Sequence, residues 1–194
     1  MKKLVVGLLV AGGLFLGAYP AWAFTANPAT VNVTVQINAQ VSVAVASVTA
    51  GGTVGTYGAN TSYAFGSLAA GVGQIASNSI SVKNDSGGLR ETYSLSAANT
   101  TDWTLAGASG VNQFILAATF SGSQPAGDFT GAPHNLTTTS TACSSSQFAG
   151  STSYNCFQVS NAVALGLWFE MVMPTQVTTT NVETSTVYVF ATAS

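Results

Sequence analysis

The stretch VNVTVQINAQVSVAV, residues 31–45, decides the fold class of this chain. Every odd-numbered position in it is apolar, and the even-numbered positions carry small or polar side chains without charge. A period of two places alternate side chains on opposite faces of an extended strand, so this N-terminal ribbon has one apolar face. At about 3.3 Å per residue it would span roughly 50 Å, whereas a usual strand has about 5–6 residues. Either the rest of the domain or a neighbouring subunit must cover that face. The apolar row consists of Val31, Val33, Val35, Ile37, Ala39, Val41, Val43 and Val45.

The residues before the ribbon have the pattern of an export signal. The chain begins Met1-Lys2-Lys3, continues with an apolar run from Leu4 to Ala18, and then reads Ala21-Trp22-Ala23. A basic start, an apolar segment and a small-x-small site predict a signal peptide over residues 1–23. A retained membrane anchor is the alternative, but the apolar run is short for a span of about 20 residues. We therefore expect a mature protein, residues 24–194, that is secreted, extracellular or at the cell surface, with the periplasm as a further option.

The mature chain carries few charges. Lys83 and Arg90 are its two basic residues and face six acidic residues, which gives a net charge of about −4. A chain without a basic patch is not suited to bind nucleic acid or an anionic membrane surface. The abundance of valine, leucine and aromatic residues argues against disorder, and the length suits one domain with its own core.

Short alternating segments separated by turn residues follow the ribbon, and no helical stripe appears after residue 23. This pattern predicts a single all-β domain over residues 24–194, a sandwich or a barrel. In the last segment, residues 185–193, apolar side chains occur on both faces, which predicts a central or covered strand. The other main segments are residues 79–83, 92–97 with Tyr93, Leu95 and Ala97 inward, 114–120, and 162–173.

Residues 121–160 differ in composition from the rest, being rich in Ser, Thr and Gly. They are too many for an ordinary loop of about 4–6 residues, so we expect an excursion from the domain. Cys143 and Cys156 lie within it, and an isolated cysteine pair in an exported protein predicts a disulfide. Closing a loop of this size contributes about 3 kcal/mol in the chain-entropy model. The spacing offers no metal site, and we expect neither a metal nor another cofactor.

One part of the chain resembles a known class of domains. Phe65 to Gly71 reads FGSLAAG, and it is followed by SISVKN at residues 79–84 and by Gly87-Gly88. This order resembles the opening of many bacterial immunoglobulin-like domains, including those of secreted fibre and coat proteins. The resemblance implies an immunoglobulin-like antiparallel β-sandwich. It covers about 25 residues and concerns the fold more than the function.

The order of leader, ribbon and nearly uncharged β-domain also resembles pilins, spore-coat-U-like proteins and TasA-like biofilm fibre subunits. In those groups an N-terminal strand of one subunit can complete the sheet of the next. The resemblance implies a donor-strand role for residues 31–45. The late position of Cys143 and Cys156 departs from the pilin pattern. A plain first strand that pairs within its own domain is the other interpretation.

Catalytic patterns are weak in this sequence. His134 is the single histidine, and a hydrolase would need an acid such as Asp128 and a nucleophile elbow, which the sequence lacks. We expect a solvated loop histidine. The six acidic residues are scattered, so they predict neither a glycosidase pair nor a strong calcium site. Glu170 is predicted to point to solvent, opposite Leu167 and Phe169. We therefore predict that the protein is not an enzyme.

Aromatic residues provide a second functional hypothesis. Trp103 lies among polar residues, and Trp168 is predicted on the face opposite the core row of its strand. Exposed aromatic rings stack on sugars and anchor protein interfaces. Coverage of Trp168 by residues 121–160 is the alternative. The sequence thus predicts a structural or surface protein that assembles with itself or with other surface proteins. A glycan-binding or adhesin module is the second hypothesis.

Overall fold

The computed structural model of the chain describes residues 41–150 and 154–194, and within these ranges the protein is all-β. The ribbon up to residue 40 and the leader at residues 1–23 lie outside the described residues. The strands form two sheets. They are β1 (Val43–Ser47), β2 (Gly73–Ile75), β3 (Ile80–Asn84), β4 (Glu91–Ala97), β5 (Thr104–Leu105), β6 (Gln113–Phe120), β7 (Thr141–Ala142), β8 (Ala164–Val172) and β9 (Val187–Ala193).

The first sheet has β8 at its centre and the order β1-β3-β8-β6-β5. On one edge of β8, β3 pairs with its first half and β2 with its last residues. β6 pairs along the other edge. All these pairs are antiparallel except the short β5–β6 pair, which is parallel. Most of β8 is buried on both faces, and both of its edges are paired.

The second sheet is smaller and has the order β7-β4-β9. β4 pairs with β9 over seven residues, from Glu91 opposite Ala193 to Ala97 opposite Val187. Its other edge pairs with β7 and with the backbone of Cys156 and Val159. β4 is therefore bonded on both edges.

The core lies between the two sheets, as a sandwich-like arrangement requires. Tyr93 of β4 and Phe120 of β6 have no exposed surface and stack with ring centroids 5.8 Å apart. The inward rows predicted for β4 and for residues 114–120 are confirmed. Their buried members are Tyr93, Leu95, Ala97, Phe114, Leu116, Ala118 and Phe120.

β1 contains the last residues of the ribbon. Val43 and Val45 pack against the core, as the odd-numbered apolar row predicts. Ala44 and Ala46 on the opposite face are also buried. Tyr57 lies over this face, because its hydroxyl group bonds Ser81 beside Ala46. The end of the ribbon is thus paired within its own domain, and the donor role can apply only to the residues before it.

The excursion at residues 121–160 crosses the outer face of β8. The backbone N–H of Ser121 donates to the carbonyl of Gly166, and the Trp168 indole N–H donates to the carbonyl of Ser121 at 3.0 Å. A Cβ atom at Gly166 would lie only 2.7 Å from that carbonyl oxygen, so glycine permits the close approach. Cys143 and Cys156 form the disulfide that the sequence predicts.

Candidate functional site

The backbone of β9 presents an open sheet edge. In an antiparallel ladder, alternate residues of a strand point their N–H and C=O groups toward the same partner. The backbone groups of Glu91 and Tyr93 in β4 form hydrogen bonds on the side away from β9. Glu91 bonds Val159, and Tyr93 donates to Cys156 and accepts from Cys143. Their partners on β9 must therefore point their backbone groups away from β4. The residues with outward N–H and C=O groups are Val187, Val189, Ala191 and Ala193.

Within residues 41–150 and 154–194, no backbone group pairs with this β9 edge. β1 runs close to β9 but bonds elsewhere, since Val45 exchanges two backbone hydrogen bonds with Gly58. Among these described residues β9 is an edge strand, which differs from the expectation that residues 185–193 form a central or covered strand. Apolar residues on both faces do not report whether a strand has neighbours on both edges.

Residues 187–193 of the β9 edge lack the charged residues, prolines and bulges that protect many open edges from pairing. Proteins commonly protect such strands with lysine, proline or a bulge. Between Val187 and Ala193 there is no charged residue and no proline, and the pairing with β4 is uninterrupted. The side chains of Val187, Val189 and Ala191 on the inner face are half-buried. The edge therefore offers four outward backbone positions beside a row of incompletely covered apolar side chains.

The outer face of β9 carries two exposed aromatic residues that the sequence analysis did not single out. Tyr188 and Phe190 are 47% and 46% exposed, and their rings stack with centroids 6.2 Å apart. Ser96 and Ser94 lie opposite them on β4. The result is a flat, uncharged aromatic surface next to the open edge.

The ribbon joins the described domain at the end of β9. The Ser42 N–H donates to the Glu91 carboxylate at 2.8 Å, and Glu91 lies opposite Ala193 at the last position of β9. From this point β1 runs away from that end, whereas β9 runs toward it. Ser42, directly before β1, therefore lies at the end of the domain where β9 finishes.

Glu91 is fully buried where the ribbon enters. One carboxylate oxygen accepts the Ser42 bond, while the other has no partner among the described residues. Burial raises the pKa of Glu91, and the negative charge of nearby Asp85 acts in the same direction, while the bond from Ser42 opposes them. The hydroxyl group of Tyr93 is also buried without a partner in the described ranges, and burial raises its pKa as well.

We predict that Glu91→Gln stabilises the protein at neutral pH by about 1 kcal/mol. The Glu91 carboxylate is a buried charge that accepts a single hydrogen bond, and the glutamine amide that replaces it is neutral. A carboxyl group with a raised folded pKa favours folding in acid. Its contribution decreases as the pH rises from the unfolded value, 4.5, through the folded value. The gain from Glu91→Gln should therefore increase from pH 4 to pH 7 in urea titrations.

Glu183→Gln is the matched control, since the Glu183 side chain lies near the surface and accepts a bond from the Asp102 N–H. Burial also raises the pKa of Glu170, so Glu170 contributes its own pH dependence to the free energy of unfolding. Taking the difference between the two variants removes that contribution. Equal effects of the two substitutions at every pH would contradict this account of Glu91.

Neither tryptophan proposed from the sequence offers a ring face to solvent. Trp103 is 8% exposed and packs in the core against Phe114, with ring centroids 6.4 Å apart. Trp168 is 9% exposed and is covered by the excursion through its bond to Ser121, the alternative that the sequence left open. Their local sequence neighbours are polar, but residues distant in the chain cover both indoles.

The excursion also covers Glu170, and the prediction that it points to solvent is wrong. Glu170 is 3% exposed, and its carboxylate accepts the Phe129 N–H at 2.7 Å. Burial raises its pKa, and the adjacent Asp128 carboxylate adds to the rise. Asp128 accepts two bonds from Thr130, which hold its own pKa below the usual range. Both carboxylates accept hydrogen bonds from backbone and hydroxyl groups of the excursion, and these bonds hold the excursion in place.

His134 is half-buried rather than fully solvated. Its ring packs edge-on against Phe129 at 5.9 Å, and burial lowers its pKa. Nδ1 is buried without a partner among the described residues, and no contact in these ranges links the ring to a serine or a carboxylate. The described geometry thus contains no hydrolase triad around His134.

In the two described ranges, no set of three or more His, Cys, Asp or Glu side chains is arranged to hold a metal ion. No helix formed by those residues has the length and apolarity needed to span a membrane. No protein-family model matches the chain, and no curated protein or solved structure shows significant similarity to it.

Proposed function

We propose that this protein is a secreted, non-enzymatic structural subunit of a bacterial extracellular or cell-surface assembly, built on an immunoglobulin-like β-sandwich. Subunits associate by strand addition: residues 31–41 of one copy pair with the β9 edge of the next. The open edge of β9 is the observation that carries this proposal. The disulfide adds support for a location outside the cytoplasm, where such bonds persist.

Strand addition takes affinity from backbone hydrogen bonds and specificity from alternate side chains. The β9 edge supplies the backbone groups of Val187, Val189, Ala191 and Ala193. The ribbon supplies a complementary extended segment, with an apolar side chain at every odd position from Val31 to Val41. Neither segment carries a charge that would oppose pairing.

Pairing between copies fits the geometry better than pairing within one copy. Ser42 lies at the end of the domain where β9 finishes and β1 begins. To lie along its own β9, the ribbon would have to reverse direction just before Ser42. No glycine or proline occurs between Val31 and Val45, and the unbroken alternation predicts an extended chain rather than a turn. An extended ribbon would reach beyond its own domain.

The proposal predicts that the mature chain forms high-molecular-mass polymers and that removal of residues 24–41 yields folded monomers. Size-exclusion chromatography with light scattering measures the mass, and negative-stain microscopy shows the morphology. Substitution of Val33 and Ile37 by serine should weaken assembly, because it removes apolar contacts. The matched control, serine at Asn32 and Gln36 on the other face, should retain assembly. A mature chain that remains monomeric at high concentration would contradict the proposal.

A carbohydrate-binding or adhesin module is the second candidate, and the exposed Tyr188–Phe190 pair favours it. Stacked rings suit the apolar face of a sugar, and the half-buried Ser94 opposite Phe190 provides a hydroxyl group beside them. A glycan array read with the wild-type protein and with Phe190→Ala tests this role. Binding that does not change on loss of the Phe190 ring would remove the pair from consideration.

A further inference from the structure

A cleft of about 250 Å³ opens beside the first residue of β4, away from the β9 edge. Its lining includes Leu165, which is buried, and Phe157, which is half-buried. The lining also includes three exposed polar residues, Arg90, Asn155 and Gln158. The volume lies below the roughly 300–1,000 Å³ typical of sites for drug-sized ligands, so it suits a single small ring.

Arg90 has a charge without a partner among the residues that the structure describes. The other cation in those ranges, Lys83, forms an ion pair with Asp85 at 2.8 Å. The Arg90 side chain makes neither a hydrogen bond nor an ion pair there, although it lines a cleft that also contains Phe157 and Leu165. A guanidinium group matches a carboxylate with two parallel hydrogen bonds, and such pairs are stronger than neutral ones.

The walls of the cleft are held in place by the backbone. Val159 exchanges two hydrogen bonds with Glu91, and Val163 accepts a bond from Asn84 at 3.0 Å. Gln158 and Ala162 have positive φ values of 55° and 63°, which non-glycine residues adopt at an energetic cost. Such conformations persist where the surrounding structure fixes them, and they concentrate at ligand sites. These bonds fix the backbone positions of Val159 and Val163 in the lining of the cleft.

We infer that this cleft binds a uronic-acid unit of an acidic polysaccharide. The Arg90 guanidinium takes the carboxylate, and the amides of Asn155 and Gln158 with the Ser160 hydroxyl take the ring hydroxyl groups. Phe157 and Leu165 contact the apolar C–H face of the ring. The proposal depends neither on self-association nor on the Tyr188–Phe190 pair, because the site uses different residues.

The test is calorimetric titration of the mature protein with a trimer of galacturonic acid, with the neutral galactose trimer and with acetate. We expect saturable binding of the acidic trimer that is stronger than binding of either other probe. Arg90→Gln should weaken it by about 10- to 100-fold, the loss expected for a hydrogen-bonded charge pair. Lys83→Gln, the matched control on the preceding strand β3, should leave binding within about twofold. Val163→Phe, at the mouth of the cleft, should block entry without removing a charge.

Three outcomes would overturn the inference. The first is no binding of the acidic trimer. The second is equal binding of the neutral trimer or of acetate, which would show that the carboxylate and the ring are not recognised together. The third is full retention of binding by both Arg90→Gln and Val163→Phe. Amide chemical shifts of the variants establish that each one is folded.

Discussion

Phe120→Ala is expected to lower the free energy of unfolding by about 3–5 kcal/mol, the range for removing a buried aromatic ring. Phe120 has no exposed surface and stacks on Tyr93 from the opposite sheet. Its backbone also donates to Phe148 and accepts from Gly150, which fixes the excursion beside the core. A cavity at this position would therefore remove packing between the two sheets and loosen the excursion. Because domains are stable by only about 5–15 kcal/mol, much of the total would be lost.

Urea denaturation followed by tryptophan fluorescence measures this loss. Phe190→Ala provides the matched control, because the same ring is removed from a half-exposed position on β9. We expect the control to cost less than about 1 kcal/mol, as surface substitutions usually do. Similar losses for both variants would contradict the assignment of the core to the space between β4 and β6.

The period-two pattern was sufficient to predict the strands whose inner face lies against the core. Residues 92–97 and 114–120 bury the side chains that alternation selects, because burial on one face imposes that spacing. The disulfide was predictable for a different reason, since a chain with two cysteines has one pairing available. The all-β class followed from the same local evidence.

The environment of the other faces was not predictable from local sequence. Trp168 and Glu170 alternate with core residues on β8, and that pattern normally indicates solvent. Their cover comes from Ser121 and Phe129, more than 40 residues earlier in the chain, through single backbone hydrogen bonds. Bonds of this kind need no particular side chain at the donor or acceptor residue, so they leave no sequence signal.

The candidate edge was missed for a related reason. Residues 185–193 show apolar side chains on both faces, and this composition fits a covered strand as well as an edge strand. Whether the edge is open depends on which backbone groups β4 uses, and only the pairing register reveals that. The absence of lysine and proline in the ribbon was a usable signal in the sequence, and the same absence recurs in β9.

Val189→Pro should abolish assembly of the mature protein while leaving its fold intact. The N–H of Val189 points toward the open edge, so proline removes a donor from the assembly interface and none from the bonds to β4. The proline ring also obstructs an incoming strand. Ala191→Pro tests the same edge at a second outward position, in case the first substitution disturbs packing.

Phe190→Ser is the matched control for this edge. The Phe190 ring lies on the outer face of β9, and its backbone groups bond β4. A serine there keeps the β9 backbone edge unchanged. We expect this variant to assemble like the wild type, which separates pairing through the backbone edge from stacking through the aromatic face.

The most direct measurement is the mass distribution of the mature wild-type protein, Val189→Pro, Ala191→Pro and Phe190→Ser by light scattering at equal concentration. Circular dichroism of each sample verifies the β-fold. The account predicts polymers for the wild type and for Phe190→Ser, and folded monomers for both proline variants. Folded proline variants that polymerise as the wild type does would contradict assembly through the β9 edge.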